Sequence, residues 1–444
     1  MDAFIRNLQQ KLIILALFSL PFIIPLWCVS RSGNQGNWQK IRFLNEEGIR
    51  YCGQKEYEKS IEYFTGALKL DPENKTIREN LAGTYVSLAV DLKSRGERDK
   101  AIKVLEQAVL LNVNLDSIHI LLAKLYYEKG DLFDAKRETR IALLLKPNDP
   151  YLLKFSSYLN YLMEDYNDAL ADYNTIEKTY GIPYKEAEYN DLQKESELFA
   201  KYRKMNCHPF VIFYPDESYK DRAEWISQAL AKVYLKLASW WNYNPQNEIP
   251  VYLYPEKQFL EITKSRMDVV GIYDGKIRLL VDHSDRTKLE KTAVHEYTHH
   301  AFSCLTHSNT PFWCNEGLAQ YVAGQWDEMR AKMFDVAVQN NKVIDYESIE
   351  TINDGFFDTH NRAQAYIQSY VTVKYLIDTF GEAIICEIID ELKKGNTARQ
   401  AVEELTLLSY AELEQEVKVY YIAKRIEEYK AYATLISNIA DKEK

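Results

Sequence analysis

The sequence predicts an α+β chain that is mostly helical, and three observations predict it. Small residues recur every 34 positions through the first half of the 444 residues. In the second half a short apolar run, Lys276 to Val281, precedes a segment with His295 and His299 four positions apart. Ahead of both lies Leu12 to Val29, 18 residues without a charge. Such a chain is long enough for two folded domains with their own cores. Its net charge of −10 and pI near 5.5 exclude nucleic acid as an expected partner, and no basic patch with interleaved aromatics stands out. Six cysteines are spread too widely for a disulfide framework.

The first element, within residues 1–30, reads as a signal-anchor or a signal peptide. Arg6 and Lys11 give it a basic start, its length is near the minimum for spanning a bilayer, and Pro21 and Pro25 would kink it. Small residues at a cleavage spacing are few, and Trp27 before Cys28 argues against a lipoprotein site. The preferred expectation is an uncleaved anchor through residues 12–29 with the rest outside the cytoplasm, as in a bacterial cell envelope. Cleavage would make the protein secreted.

Residues 41–181 carry the repeat. Ala101, Ala135 and Ala169 are spaced by 34, Ala108 and Ala142 follow the first two by seven, and Ala89 and Ala123 precede them by twelve. Gly48, Ser60, Phe64, Ala67 and Pro72 repeat the pattern, offset by an insertion of seven residues near Lys93 to Gly96. A 34-residue period with small residues where helices cross predicts a tetratricopeptide α-solenoid of four repeats. The fourth is degenerate, with Ser157 and Ile176 in place of small residues. Its concave surface would bind a protein partner or serve as a spacer. Residues 182–204 read as a capping helix and linker.

The chemistry lies in His295-Glu296-Tyr297-Thr298-His299 and the downstream Glu316. Histidines four apart on a helix are separated by about 400° of rotation, so both imidazoles project from one face and can hold one zinc ion. Ala293, Val294, Ala301 and Phe302 give the motif a buried helical context, and Ser284 or Asp285 caps that helix. Positions 302 and 305 hold Phe and Leu, which excludes a third histidine ligand there. Instead Pro311-Phe312 opens a second amphipathic helix bearing Glu316, after a loop from Ser303 to Thr310. His295, His299 and Glu316 are therefore the expected ligands of one Zn2+ per chain, which would acidify a bound water. Glu296 is the expected general base. His300 points about 100° away from His299, and His283 and His307 read as loop residues.

These segments resemble the gluzincin metallopeptidases of the MA type, in particular small bacterial peptidase-MA-like domains related at a distance to the M1 aminopeptidases. The resemblance covers about residues 207–425, within a domain expected over 205–425. It rests on Ile249 to Pro255 with Phe259, on the glycine-bearing hairpin Val270 to Ile277, and on the two histidine- and glutamate-bearing stretches. Further matches are Ala365 to Tyr370 and the run from Leu392 to Leu413. It implies a zincin-like fold with a small sheet and an HExxH helix, a peptide or protein substrate, and Tyr366 as the group that polarises the scissile carbonyl. Tyr370, one turn on, is the alternative. The interval from His299 to Glu316 is slightly shorter than in the M1 enzymes, and no counterpart of their motif for a free amino terminus is present.

Together these readings predict a membrane-tethered, extracytoplasmic zinc peptidase with a partner-binding repeat domain. The rivals are a catalytically idle scaffold of the same fold and an active centre directed at another bond. Cys304 and Cys314 flank the loop between the ligand helices and are either bridged or two reduced core thiols. The tail 426–444 reads as a charged, frayed helix.

Overall fold

The computed structural model describes residues 35–181, 186–245, 247–266, 269–282, 285–350 and 359–442. The expected anchor at Leu12 to Val29 lies outside the described residues, as do His283 and Ser284. Among the described residues no helix is long and apolar enough to cross a membrane. The chain divides into two units, Met1–Gln193 and Lys194–Lys444.

The first unit is built of consecutive packed helices: α1 (Gln35–Gly53), α2 (Tyr57–Leu70), α3 (Lys75–Ser94), α4 (Arg98–Val109), α5 (Asp116–Glu128), α6 (Leu132–Leu145), α7 (Pro150–Leu162) and α8 (Tyr166–Tyr180). The periodic alanines explain the packing. Ala67, Ala89, Ala101, Ala108, Ala135, Ala142 and Ala169 are wholly buried, because helices that approach closely leave room for little beyond a methyl group. Two serines join helices by hydrogen bonds, Ser60 Oγ to the Gly48 carbonyl at 2.7 Å and Ser157 Oγ to the Ala169 carbonyl at 2.9 Å. Asn74, Asp131 and Asp149 cap α3, α6 and α7. The seven-residue insertion does not bulge out as a loop. It lengthens α3 to 20 residues where α5 and α7 have 13, two extra turns.

A further helix, α9 (Glu186–Phe199), crosses the division and leads into the sheet of the second unit. The strands are β1 (Arg203–Cys207), β2 (Phe210–Tyr214), β3 (Ile249–Tyr254), β4 (Gly271–Tyr273) and β5 (Ile277–Leu280), in spatial order β1-β2-β3-β5-β4. The terminal pairs β1/β2 and β4/β5 are antiparallel, while β2/β3 and β3/β5 are parallel. Around the sheet run α10 (Lys220–Trp241), α11 (Glu256–Thr263), α12 (Arg286–Leu305), α13 (Phe312–Val322), α14 (Glu328–Gln339), α15 (Tyr346–Glu350), α16 (Thr359–Phe380), α17 (Ala383–Lys394), α18 (Ala398–Thr406) and α19 (Tyr410–Lys442).

Strand alternation sorts the two faces of the sheet. Phe210, Ile212, Val251, Leu253, Ile277 and Leu279 join the main core with α10 and α12. The intervening residues Phe213, Tyr252, Tyr254 and Arg278 face the other way, where the end of α9 covers them: the Phe199 and Tyr252 rings are 4.2 Å apart. Arg278 is 1% exposed and donates to Glu195 of α9 at 3.0 Å, to Asp274 at 3.1 Å and to the Tyr254 hydroxyl at 2.5 Å. The stretch expected as linker thus ends as a covering layer of the sheet. The expectation of a frayed tail also changes: α19 runs unbroken to Lys442, and Arg425 is buried against Asp335, Glu328 and Glu428.

Candidate metal centre

Helix α12 starts where Asp285 Oδ1 accepts from the Lys288 N–H at 2.8 Å. Its apolar face, with Ala293, Tyr297 and Ala301 wholly buried, fixes its rotation against the sheet. That rotation turns His295 and His299 toward α13, their Nε2 atoms 3.0 Å apart. A turn through Thr306 to Pro311, beginning three residues later than the expected Ser303 break, reverses the chain. The start of the second turn of α13 then brings Glu316 to 3.5 Å from His295 Nε2 and 3.7 Å from His299 Nε2. The structure therefore brings His295, His299 and Glu316 together, with one donor atom of each within 4.8 Å of the others.

These residues fit a divalent cation. Two imidazole nitrogens and a carboxylate converge in a buried spot, and Glu316 Oε2 has no hydrogen-bond partner there. Burial works against the Glu316 charge, but the two imidazoles outweigh it and hold its carboxyl below the usual range. Asn315 settles the state of one ligand. Its Oδ1 lies 2.9 Å from His299 Nδ1 and accepts that N–H, so His299 Nε2 keeps its lone pair for a metal. Sequence reasoning gave Asn315 no role. Its adjacency to Glu316 on the same helical turn is the signal that was there to read.

Glu296 lies beside the ligands and is held from the strand side. The Tyr273 N–H of β4 donates to it, and Gly271 leaves the room it occupies: a Cβ on Gly271 would sit 2.6 Å from Glu296 Oε1 and 2.6 Å from Thr292 Cγ2. Burial pushes its carboxyl up to about 7, aided by Glu316 and Asp274 and opposed by His299.

Tyr366, on α16, packs against Phe312 with ring centres 5.2 Å apart, and its backbone carbonyl accepts from Gln320 Nε2 at 2.9 Å. The Glu316 charge and burial raise its phenol well above the usual range, so the hydroxyl stays a donor; Arg362, Glu296 and Arg266 also act on it. Tyr370 is turned elsewhere, stacked on Trp326 at 4.6 Å. His300 faces away from the ligands toward the Tyr243 hydroxyl at 3.0 Å. Cys304 and Cys314 are both free thiols, so the turn between the ligand helices carries no bridge.

A histidine pair with an adjacent glutamate on one helix and a second glutamate on the next is an arrangement that can hold a metal ion. Residues 231–423 match the Peptidase MA superfamily. The match takes in α12, α13 and α16 and therefore every residue of the cluster, and members of this superfamily are typically zinc-dependent. The chain is also similar to a Bacillus subtilis (strain 168) protein described as uncharacterized protein YhcO. The two are 26% identical over 199 residues, which is 40% of this chain and 58% of the relative. The chain thus spans less than two thirds of that relative's length. The Peptidase MA superfamily match supports a peptidase-like domain within the second unit.

Proposed function

We propose that residues 205–425 form a zinc-dependent peptidase domain of gluzincin type. The observation that carries this reading is the buried convergence of His295, His299 and Glu316 with Glu296 held alongside. His295 and His299 would offer Nε2, and Glu316 a carboxylate oxygen, to the ion. When bound, zinc supplies Lewis acidity and lowers the pKa of a water toward about 7. Glu296 takes a proton at its carboxylate and returns it to the leaving nitrogen. The Tyr366 hydroxyl donates to the oxygen of the scissile carbonyl as charge develops there, an interaction that strengthens in the transition state.

The helical hairpins of the first unit support a tetratricopeptide domain over 41–181 that binds a protein partner or spaces the catalytic unit. Tethering through residues 12–29, with both units outside the cytoplasm, completes the reading.

The test is zinc per chain in the purified full chain, followed by hydrolysis of a peptide library. About one zinc in the parent and in Glu296→Gln, little in His299→Ala, and hydrolysis abolished by a chelator and by Glu296→Gln are expected. A folded parent that takes up no zinc after reconstitution points to an idle scaffold. Activity that survives Glu296→Gln refutes the general-base role.

A further inference from the structure

Arg362 and Arg266 both act on the Tyr366 phenol and the chemistry above uses neither; Arg266 has a partner of its own, which leaves Arg362. It stands on α16 four residues before Tyr366, so the two side chains leave one face of the helix about one turn apart. Tyr366 packs on Phe312, the first residue of the helix that bears Glu316, and its phenol lies within the field of Glu316, Arg362 and Glu296 together. Arg362 thereby stands beside Tyr366, next to the candidate centre. It is partly buried, and among the described residues it makes no hydrogen bond and no ion pair. The two carboxylates that act on Tyr366 are otherwise engaged, Glu316 with the imidazoles and Glu296 with the Tyr273 N–H. Partly buried guanidinium groups ordinarily find such partners.

Charge balance sharpens the point. With a divalent cation held between neutral histidines, the negative charges of Glu296 and Glu316 are compensated, and Arg362 remains as surplus positive charge at the cleft. A guanidinium is charged at every physiological pH and presents a planar fork of donors that matches a carboxylate. We propose that Arg362 recognises a carboxylate of the substrate next to the scissile bond, borne by an acidic side chain or by a free C-terminus. This assignment rests on the peptidase reading and gives it a substrate class: acidic peptides or peptides cut near their carboxyl end. Arg362 is then a specificity residue that touches substrate and takes no part in proton transfer.

The experiment measures binding without turnover, using zinc-loaded full chain carrying Glu296→Gln. Three fluorescent alanine-based hexapeptides are compared by anisotropy. The first has a central Glu and both ends blocked. The second has Gln at that position and both ends blocked. The third has the Gln and a free C-terminal carboxylate. One or both acidic peptides should bind about 10- to 100-fold more tightly than the blocked Gln peptide, the scale of a charge-assisted hydrogen-bonded pair. Whichever acid binds more tightly names the source of the carboxylate. Adding Arg362→Met should remove the difference at unchanged zinc content, while Arg362→Lys, which keeps charge but loses the fork, should retain part of it. Equal binding of all three peptides, no binding of either acid, or a preference that survives Arg362→Met overturns the assignment. Zinc content is read first: a parent without zinc overturns the peptidase reading, and this proposal falls with it.

Discussion

Alanine in place of Gly317 sets two effects of opposite sign against each other. In a helix interior alanine is favoured over glycine by about 1 kcal/mol. At this position, however, the new Cβ would lie 2.3 Å from the Ser369 carbonyl oxygen, 2.8 Å from its carbon and 2.7 Å from Val373 Cγ2. Val373 can rotate, but the Ser369 carbonyl belongs to the backbone of α16 and can move only with the helix. Relief requires α13 and α16 to separate by about an ångström, and overpacking of this kind costs about 1–3 kcal/mol. The clash cancels or outweighs the propensity gain, leaving a net loss of up to about 2 kcal/mol. For a unit of this size that lowers the melting temperature by up to about 8 °C. Glu316 adjoins Gly317, so zinc affinity should also fall, by about tenfold as for loss of a supporting partner. Gly66→Ala is the control: it is interior to α2, and its nearest neighbour would be Leu44 Cδ1 at an ordinary 3.8 Å, so propensity should prevail and stabilise. Thermal unfolding with and without zinc, together with a chelator-competition titration, reads both quantities. Gly317→Ala with the stability gain of Gly66→Ala and unchanged zinc affinity would refute the reasoning.

Other expectations follow from the same geometry. Asn315→Ala removes the acceptor that fixes the His299 tautomer and should weaken zinc about 10- to 100-fold in the same titration, with little change in melting of the zinc-free protein. Glu195→Gln keeps an oxygen that accepts from buried Arg278 but removes the opposing charge; the cost by denaturant titration should be about 2 kcal/mol, below the roughly 3–5 kcal/mol of a buried pair broken outright. Burial, reinforced by Lys93 and opposed by Glu128, brings the Lys124 ammonium down to about 8. Its folded value lies below the unfolded one, so between about pH 8 and 10.4 the unfolded chain holds the extra proton and stability rises with pH. Lys124→Met should abolish that rise and stabilise the protein at pH 7 by up to about 3 kcal/mol, measured as melting temperature across pH 7–10.5.

The parts of this protein set by local periodicity were legible in the sequence. The spacing of Ala101, Ala135 and Ala169 marked the helix crossings because close approach demands small residues there. The spacing of His295 and His299 put both imidazoles on one face. Asp285 declared its helix start. What depended on distant packing was not legible. Nothing in the local pattern of Glu195 or Phe199 distinguishes a linker from a layer over the sheet, since their partners Arg278 and Tyr252 lie more than fifty residues away. Arg425 borders the expected tail, and no local pattern shows the three acids from separate turns that enclose it. Trp326 stacks on Tyr370, a contact that no helical-spacing argument reaches.

Consecutive residues of α13, Asn315 and Glu316, carry the amide that accepts from His299 and the expected oxygen ligand. Any slip of this helix along its axis withdraws both in the same movement, so for the proposed ion two separate contributions to affinity would fall together and their penalties would multiply. The proposed centre would thus have a single mechanical point of failure.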